Sequence, residues 1–419
     1  MSGKGARQPG NARLGDTAQA IKIDTAGIRL MQISQRIATS EPLATTSLHG
    51  RVEALRAAGE SVIDFSIAIS HFAAPETVRR SVAELVMTDN LPYTTVGGAL
   101  QLRARLAEKL QRDNRISAQP NEIIVTNGAK QALYEALYVS TDPGDTVIVF
   151  RPYWPAYVAT AKLLNLNVHV VDLPLQLDLQ FLATLPAARL LILNNPHNPI
   201  GKVFSSEELT LLIDWMQRHG CGAIVDESYE KLLYSGEHFS LAALTDWRAL
   251  GVVTIFSASQ SYAMMGWRSG FAVAPAVVIS AMETLQGPIT AAASALTQAA
   301  TGAAFDSNEA DALVADYRIR RDLVVGMLAP VRWAKALAPD SGPYLWCDVR
   351  DLDCDTVAFS EALLSEGRVA VMPGDALGQP GFIRIGFIAD DIDTLRAGVE
   401  IICDFGNKVT DGSVCLASL

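Results

Sequence analysis

Short runs of β-branched and other apolar residues alternate with longer stretches of helical spacing between about residues 76 and 275. The runs read EIIVTNG, TVIVF, NVHVVD, LLILNN, GAIVDES, VVTIFSAS and GFAVAP. Segments 129–140, 156–165 and 206–219 repeat apolar residues at helical spacing, and Ser205, Ser206 and Glu208 resemble a helix N-terminal cap. This alternation is typical of βα units around a mostly parallel sheet, so it predicts a three-layer α/β/α domain.

The pattern changes after an Ala-rich helical stretch near 290–330. The runs GPYLWCDV, RVAVMPG and FIRIGF are separated by helical patterns, which predicts a smaller α+β domain. The first thirty or so residues mix Gly, Arg, Lys and Asp without the apolar segment of a secretory signal. We expect a disordered extension over residues 1–33, with Met31 as an alternative translation start. Residues 406–419 are rich in Gly, Ser and Asp, which predicts a flexible tail.

Composition indicates a globular protein, since 49% of the 419 residues are hydrophobic and 19% are charged. The formal net charge of -11, without clusters of Lys or Arg, argues against nucleic acid or an anionic membrane as partner. No apolar run approaches the ~18 residues that a membrane helix needs. The five cysteines are scattered and form no CxxC pair, so we expect a reduced, cytoplasmic setting and predict no metal site.

Polar residues follow several of the predicted strands, where ligands of open α/β sheets bind. Asp226 ends the strand in AIVDES, and Tyr229 follows three residues later. Asn198 lies between two prolines after LLILNN, and Ser257 and Arg268 follow a third strand. A lone aspartate at a strand end more often faces solvent or caps a helix, so the prediction of a ligand site depends on the whole set.

Six motifs follow one another along the chain: TNGAKQAL, PYWPAY, NPHNPIGKVF, DESYEKLLY, SASQSYAMMGWRSGF and FIRIGF. In this order they resemble the successive blocks of the class I/II, fold-type I aminotransferases, which depend on pyridoxal phosphate, and the resemblance covers about residues 34–405. It implies a large cofactor-binding domain at 76–310, a small C-terminal domain at 311–405 and an N-terminal arm at 34–75 that packs with the small domain. It also implies a homodimer that transfers amino groups in amino-acid metabolism.

The resemblance implies pyridoxal 5'-phosphate or pyridoxamine 5'-phosphate as the cofactor. Asp226 would be the counter-ion of the protonated ring nitrogen, and Tyr229 and Asn198 would hydrogen-bond the ring's phenolic oxygen. Trp154 would stack on the ring face, with a core anchor as the alternative. The phosphate would lie in a cup of backbone amides, a hydroxyl and two cations, formed by Gly128, Ala129, Lys130, Ser257 and Arg268. Tyr93 would reach the phosphate of the neighbouring subunit, with a strand-edge aromatic as the alternative.

Arg384 in FIRIGF lies where the family has its clamp for the substrate α-carboxylate, which a guanidinium can meet with two parallel hydrogen bonds. A structural salt bridge is the alternative. The loop that reads like GEPDF in the family is AISHF here, at 68–72. Because that loop lies near the substrate carboxylate in the family, Ala68 is a candidate substrate-binding residue.

Gln260 stands eight residues before Arg268, where the family has the lysine that holds the cofactor covalently and moves the substrate proton. A carboxamide can do neither. Lys130, Lys202 and Lys231 occupy positions where relatives also carry lysine, so none is an obvious substitute. His71 and His197 are the histidines nearest the site by motif position. A catalytic role for His71 is a hypothesis, whereas His197 belongs to a PHNP sequence that ordinary relatives share.

Two functions follow from the sequence. The first is an enzyme of the aminotransferase family that holds its cofactor without a covalent bond and acts on an amino acid or keto acid. Gln260 and Tyr229 would lie at its reaction centre, and Gln260 argues against ordinary lysine-dependent transamination. The second is a non-catalytic partner subunit that keeps the fold and the dimer surface.

Overall fold

The computed structural model describes residues 33–38, 40–88, 91–389, 391–414 and 416. The chain divides into two units, Met1–Thr39 and Ser40–Leu419. The described part of the first unit contains one short helix, α1 (Gln35–Ala38). Apart from Ile33, the predicted extension 1–33 lies outside the described residues, as does Met31.

The second unit contains all the strands of the described chain. They are β1 (Ile63–Asp64), β2 (Ile123–Asn127), β3 (Thr146–Arg151), β4 (Asn167–Asp172), β5 (Leu190–Asn194), β6 (Gly222–Asp226), β7 (Val252–Ser257), β8 (Ser269–Val273), β9 (Lys335–Ala336), β10 (Tyr344–Asp348), β11 (Val369–Ala370), β12 (Met372–Pro373) and β13 (Phe382–Gly386).

Helices of the second unit cover the faces of its sheets. They are α2 (Ala44–Ala57), α3 (Glu76–Thr88), α4 (Leu100–Asn114), α5 (Ala129–Ser140), α6 (Pro155–Leu163), α7 (Leu179–Leu182), α8 (Ser206–His219), α9 (Trp247–Leu250), α10 (Ala276–Thr290), α11 (Ala295–Phe305), α12 (Ala310–Leu328), α13 (Thr356–Gly367) and α14 (Ile392–Thr410). Short 3₁₀ turns occur at Pro120–Glu122, Leu241–Leu244, Met265–Trp267, Arg350–Leu352 and Gly374–Leu377. No helix in the described residues is both long enough and apolar enough to span a membrane.

The large sheet consists of seven strands in the order β2-β8-β7-β6-β5-β3-β4. The neighbouring pairs from β7 to β4 are parallel, and β8 is antiparallel to both β7 and β2. Each strand matches one of the seven predicted apolar runs, so the prediction of a mostly parallel sheet is confirmed. Every residue of β5 and β7 is buried, as expected for central strands covered on both faces.

Alternate residues of the strands face two separate hydrophobic clusters. Ile123 and Val125 of β2 belong to one cluster, whereas Ile124 between them belongs to the other. Because successive side chains of a strand point to opposite faces, the sheet lies between two helical layers. The predicted cap of α8 is also confirmed: Ser205 Oγ accepts from the Glu208 amide at 3.2 Å, and the Glu208 carboxylate accepts from the Ser205 amide at 3.0 Å.

A second, antiparallel sheet of four strands has the order β12-β13-β10-β9 and its own hydrophobic cluster. The strand β1, from the segment predicted as an N-terminal arm, pairs in parallel with β11. Phe65, which follows β1, is buried in the same cluster as Leu345 and Ile383. This region forms the smaller α+β part of the fold, and the predicted domain boundaries stay predictions.

Helix α14 continues to Thr410, so the predicted flexible tail at 406–419 overlaps this helix. Gly406 is buried against the indole of Trp333, where an added Cβ would lie 2.1 Å from Trp333 Cζ2. The Trp333 Nε1–H donates to Asn407 Oδ1 at 3.1 Å. Gly406 is therefore required by the close contact between α14 and Trp333 and does not indicate a flexible segment. Local composition could not distinguish these two roles of a glycine.

Candidate active site

The edge of the large sheet at the carboxyl ends of β5, β6 and β7 opens onto a cavity of about 630 Å³. Since β8 runs in the opposite direction, its first residue lies at this edge and pairs with Asn127, the last residue of β2. The start of α5 and the residue Arg268 are thereby brought to one place. Most of the predicted site residues line the cavity: Ala68, Ala129, Lys130, Trp154, Asn198, Asp226, Tyr229, Ser257, Gln260, Arg268 and Arg384.

Asp226 ends β6 with both carboxylate oxygens hydrogen-bonded. Oδ1 accepts from the Ser228 hydroxyl at 2.5 Å and the Ser228 amide at 3.1 Å, and Oδ2 accepts from the Tyr157 hydroxyl at 2.8 Å. Burial raises the pKa of Asp226, although these hydrogen bonds oppose the rise. Ser228 and Tyr157 also line the cavity, although nothing in the motifs that contain them predicts this position.

Tyr229 and Asn198 lie together, as the sequence motifs predict. The Asn198 side-chain amide donates to the Tyr229 hydroxyl at 3.2 Å, and the Asn198 backbone amide donates to Asn194 Oδ1 at 2.7 Å. Burial is the main cause that raises the pKa of Tyr229 well above its ordinary value. The phenol therefore stays protonated at neutral pH and can donate a hydrogen bond into the cavity.

Two cations lie at the start of α5. Gly128, with φ of 81°, precedes the helix, and a Cβ at this position would lie 2.4 Å from Arg268 Nη2. Burial and the charge of Arg268 lower the pKa of Lys130, whose ammonium lies 5.2 Å from the centroid of the Trp154 ring. The backbone N–H groups at a helix start have no partner within the helix. Amides and like charges gathered in this way make a site for an anion.

Arg384 on β13 is buried, with 2% of its surface exposed. Its Nη2 donates to the Ser66 carbonyl at 2.7 Å, and its guanidinium carbon lies 3.9 Å from the centroid of the Tyr344 ring. Nε has no hydrogen-bond partner, and Arg384 forms no ion pair within the described part of the chain. The described residues therefore do not provide Arg384 with the structural salt bridge that was the alternative to a carboxylate clamp. A buried guanidinium on a cavity wall without an anion can bind a carboxylate.

Gln260 lies in the turn after β7 and lines the cavity. Lys202 and Lys231 are not on the wall: Lys202 Nζ donates to Glu208 at 2.7 Å, and Lys231 Nζ donates to Asp113 at 3.1 Å. Of the lysines in the described residues, Lys130 is the one on the cavity wall.

The two histidines named from the sequence are not placed to move protons in the cavity. His71 is absent from the lining, and its Nε2 lies 3.0 Å from Nη2 of Arg320. Because an arginine can only donate, this ring nitrogen is an acceptor that is already used. Burial, with the charge of Lys202, lowers the pKa of His197 to about 3, so this ring is neutral at physiological pH. His49 does line the cavity, and no motif pointed to it.

Tyr93 lies outside the cavity lining, with 96% of its surface exposed. Ala68 is buried and lines the cavity beside Ile67 and Ile69. Ser70 of the same loop accepts a hydrogen bond from the Tyr317 hydroxyl at 2.6 Å. The altered loop is thus held in place by the smaller part of the fold.

Comparison with known proteins places this site in a family. The family described as aminotransferase class I and II matches residues 60–402. The chain is 32% identical over 382 residues to the aspartate/prephenate aminotransferase of Thermus thermophilus, which covers 88% of this chain and 97% of the relative. It is 32% identical over 392 residues to the aspartate aminotransferase of Geobacillus stearothermophilus, covering 90% of this chain and 99% of the relative.

Solved structures give the same result. The aspartate aminotransferase of Thermus thermophilus with maleate has a TM-score of 0.84 and 31% identity, covering 90% of this chain and 100% of that one. The aspartate aminotransferase of Thermotoga maritima has a TM-score of 0.82 and 31% identity, with the same coverage.

Proposed function

The chain belongs to the class I and II aminotransferase family, and on that premise we propose that it binds pyridoxal or pyridoxamine phosphate without a covalent bond. It acts in this form on an amino acid or keto acid. The family depends on pyridoxal phosphate, and its members named above act in amino-group transfer. The observation that carries the proposal is that most residues expected to contact the cofactor line one cavity, with Gln260 on the same wall.

The donor set of the cavity fits such a cofactor. The start of α5, Lys130 and Arg268 form a site for a dianion, and Ser257 adds a hydroxyl. Asp226 is a buried carboxylate that a cationic ring nitrogen would stabilise. Among the described residues, the buried Nε of Arg384 has no partner and would be available to a substrate carboxylate. The charges of these groups are thus opposite to those of the parts they would hold: cations for the phosphate and the substrate carboxylate, and an anion for the pyridinium.

Bound cofactor supplies a protonated ring that withdraws electrons from the substrate. The residues of the chain orient the reactants around it. Asp226, held by hydrogen bonds from Tyr157 and Ser228, would hold the ring proton, and Trp154 on the cavity wall would limit the tilt of the ring. Tyr229 and Asn198, which are hydrogen-bonded to each other, would donate to the phenolic oxygen, and Arg384 would orient the α-carboxylate.

Gln260 cannot form a covalent imine with the cofactor or act as a base at neutral pH. Turnover by the native chain is therefore slow or restricted to substrates that need no lysine. A non-catalytic partner subunit is the second candidate, and the changed loop at 68–72 favours it. The two candidates differ in whether cofactor binds and whether any keto acid is converted.

The remaining features belong to the same proposal. The partners are a small amino acid or keto acid, the general class on which the aspartate/prephenate and aspartate aminotransferases named above act, and a second copy of the chain. Tyr93 reaches the phosphate site of that copy.

The cysteines support a reduced, cytoplasmic setting. Four of them are free thiols: Cys221, Cys347, Cys354 and Cys403. Cys415 lies outside the described residues.

Restoring the lysine tests the proposal. The native protein and Gln260→Lys are loaded with pyridoxamine phosphate and mixed with a panel of keto acids, and amino acid formation is followed. Because a positioned proton-transfer group contributes about 10²–10⁴-fold, Gln260→Lys should gain at least 10²-fold. Gln260→Met, which has similar length and no basicity, is the control and should gain nothing. If Gln260→Lys binds cofactor but gains no turnover, the rest of the site is not an aminotransferase site.

A further inference from the structure

Helix α2 presents a polar face to the cavity. Thr45, Thr46 and His49 line it, and their spacing of three and four residues puts them on one side of the helix. None of the family motifs contains these residues. The face lies in the segment that precedes β1, so it is separate in sequence from the cofactor contacts on β6, β7 and α5.

His49 is held by a buried carboxylate. Its Nδ1 lies 3.1 Å from Asp64 Oδ2, and Asp64 is only 4% exposed. The other oxygen, Oδ1, accepts from the Ser66 hydroxyl at 2.6 Å and the Ser66 amide at 2.9 Å. Because a carboxylate can only accept, the hydrogen of the neutral imidazole lies on Nδ1, and Nε2 keeps its lone pair. A side chain that lines the cavity thus offers an acceptor with a fixed tautomer.

The same chain of hydrogen bonds reaches Arg384. The Ser66 carbonyl accepts from Arg384 Nη2 at 2.7 Å, so His49, Asp64, Ser66 and Arg384 form one connected set. A ligand carboxylate at Arg384 and a ligand group at His49 would be held at a fixed separation. Such a pair of contacts would favour substrates whose side chain has the matching length and end group.

The charge on this wall decides which end group fits. In the neutral ring, Nε2 can accept a hydrogen bond but cannot donate one to a carboxylate. His49 lies against the Asp64 carboxylate, so this pair adds no net positive charge to the wall. The cavity cations Lys130, Arg268 and Arg384 are used by phosphate and α-carboxylate in the function proposed above.

We propose that His49 is a specificity residue that accepts a hydrogen bond from the substrate side chain. The preferred substrate class is amino acids and keto acids whose side chain ends in a hydroxyl group. Thr45 and Thr46 add hydroxyls that can donate to or accept from the same group. This inference rests on the proposed function, since it takes Arg384 as the carboxylate clamp.

Unreactive carboxylic acids test the inference without turnover. The full-length protein, saturated with pyridoxamine phosphate, is titrated calorimetrically with hydroxy acids of rising length: 3-hydroxypropanoate, 4-hydroxybutanoate, 5-hydroxypentanoate and 3-(4-hydroxyphenyl)propanoate. Each is compared with the acid that lacks the hydroxyl, and maleate provides a dicarboxylate. At least one hydroxy acid should bind about tenfold more tightly than its partner, and more tightly than maleate. His49→Phe should remove the difference, and His49→Gln, which keeps an acceptor, should retain part of it.

Asp64→Asn gives the sharpest control. An asparagine amide would donate to Nδ1 and move the ring hydrogen to Nε2, so His49 would become a donor toward the cavity. The preference should then shift from the hydroxy acids toward maleate by several-fold, while cofactor affinity, measured in the same way, stays unchanged.

The outcomes separate this inference from the proposed function. If cofactor binds but no pair of acids differs by more than twofold, or if none of the acids binds, the assignment of His49 is overturned. The same holds if maleate binds most tightly to the native protein. Failure of the proposed function would instead show as absent cofactor binding in the native protein, in His49→Gln and in Asp64→Asn alike, and it would overturn both.

Discussion

Arg384, Asp226 and Lys130 are three charged residues whose surroundings are incomplete within the described chain. Arg384 has an unpartnered Nε, burial raises the pKa of Asp226, and burial beside Arg268 lowers that of Lys130. The pKa shifts of Asp226 and Lys130 disfavour the charged form, and Arg384 has an unused donor. A cation near Asp226 would reverse its shift, and an anion would reverse that of Lys130 and accept the hydrogen bond from Arg384. The roles of these residues come from motif positions, whereas their incomplete surroundings could only be seen in three dimensions.

Glu135 on α5 provides a prediction at the residue scale. Burial raises the pKa of this carboxyl to about 7 from 4.5, against a hydrogen bond from Gln131, and its Oε2 has no partner among the described residues. Between these pKa values the unfolded chain releases the proton and the folded chain keeps it. The stability contributed by the protonated group is therefore complete below about pH 4.5 and lost as the pH rises through about 7.

Glu135→Gln should remove this pH dependence. Relative to the variant, the native protein should lose roughly 3 kcal/mol of unfolding free energy between pH 4.5 and about pH 8. Urea titrations of both proteins across this range measure the difference. A gap between the two that stays constant with pH would show that Glu135 is not held protonated.

At the scale of elements, the proposal that a phosphate binds at the start of α5 can be tested by substitution. Gly128→Ala would put a Cβ 2.4 Å from Arg268 Nη2, so Arg268 must move away. Affinity for pyridoxamine phosphate should fall at least tenfold, because a charge-assisted contact is worth ~1.5–3 kcal/mol. Affinity for pyridoxamine, which has no phosphate, should change little. Calorimetry with both ligands measures the two effects.

Gly144→Ala is the matched control for this substitution. Gly144 has φ of 94°, and among the described residues no atom outside its two chain neighbours lies within 4 Å of an added Cβ. It therefore carries the backbone strain of a left-handed residue without the contact with Arg268. Equal losses of affinity for pyridoxamine phosphate in Gly128→Ala and Gly144→Ala would contradict the proposal that the phosphate binds beside Gly128 and Arg268.

Elements with a strong periodic pattern could be predicted from the sequence. The seven strands of the large sheet and helices α5, α6 and α8 have continuous apolar runs or helical spacing, and burial on the sheet enforces both. The end of α14 was missed because Gly406 is required by the contact with Trp333, a residue 73 positions away in the chain. The polar face of α2 was missed because nothing local distinguishes a cavity wall from solvent.

At the scale of the whole molecule, the cavity wall that carries His49 and Arg384 depends on contacts that are distant in sequence. Ser66 meets Arg384 across 318 residues, and Asp64 meets His49 across 15. The resemblance to a known family predicted the residues expected to contact a cofactor, since these lie in its motifs. It did not predict the wall formed by α2 and the segment 64–70, because α2 lies outside the motifs and the loop at 68–72 departs from the family pattern.

Tyr93 carries a prediction about assembly. If the chain forms a homodimer in which Tyr93 donates to the partner's phosphate site, Tyr93→Phe should lower affinity for pyridoxamine phosphate about tenfold or more and leave the dimer intact. Sedimentation measures the dimer, and calorimetry measures the affinity. Tyr138→Phe removes a hydroxyl from another exposed tyrosine and should change neither. A monomeric protein that binds the cofactor with full affinity would contradict this arrangement.

The most direct measurement is a calorimetric titration of the native protein with pyridoxamine phosphate, followed by dialysis. The account predicts one molecule bound per chain, full release on dialysis, and loss of binding in the double variant Asp226→Ala, Arg268→Ala. No binding heat for the native protein, or binding that the double variant retains, would contradict the claim that this cavity is a non-covalent cofactor site.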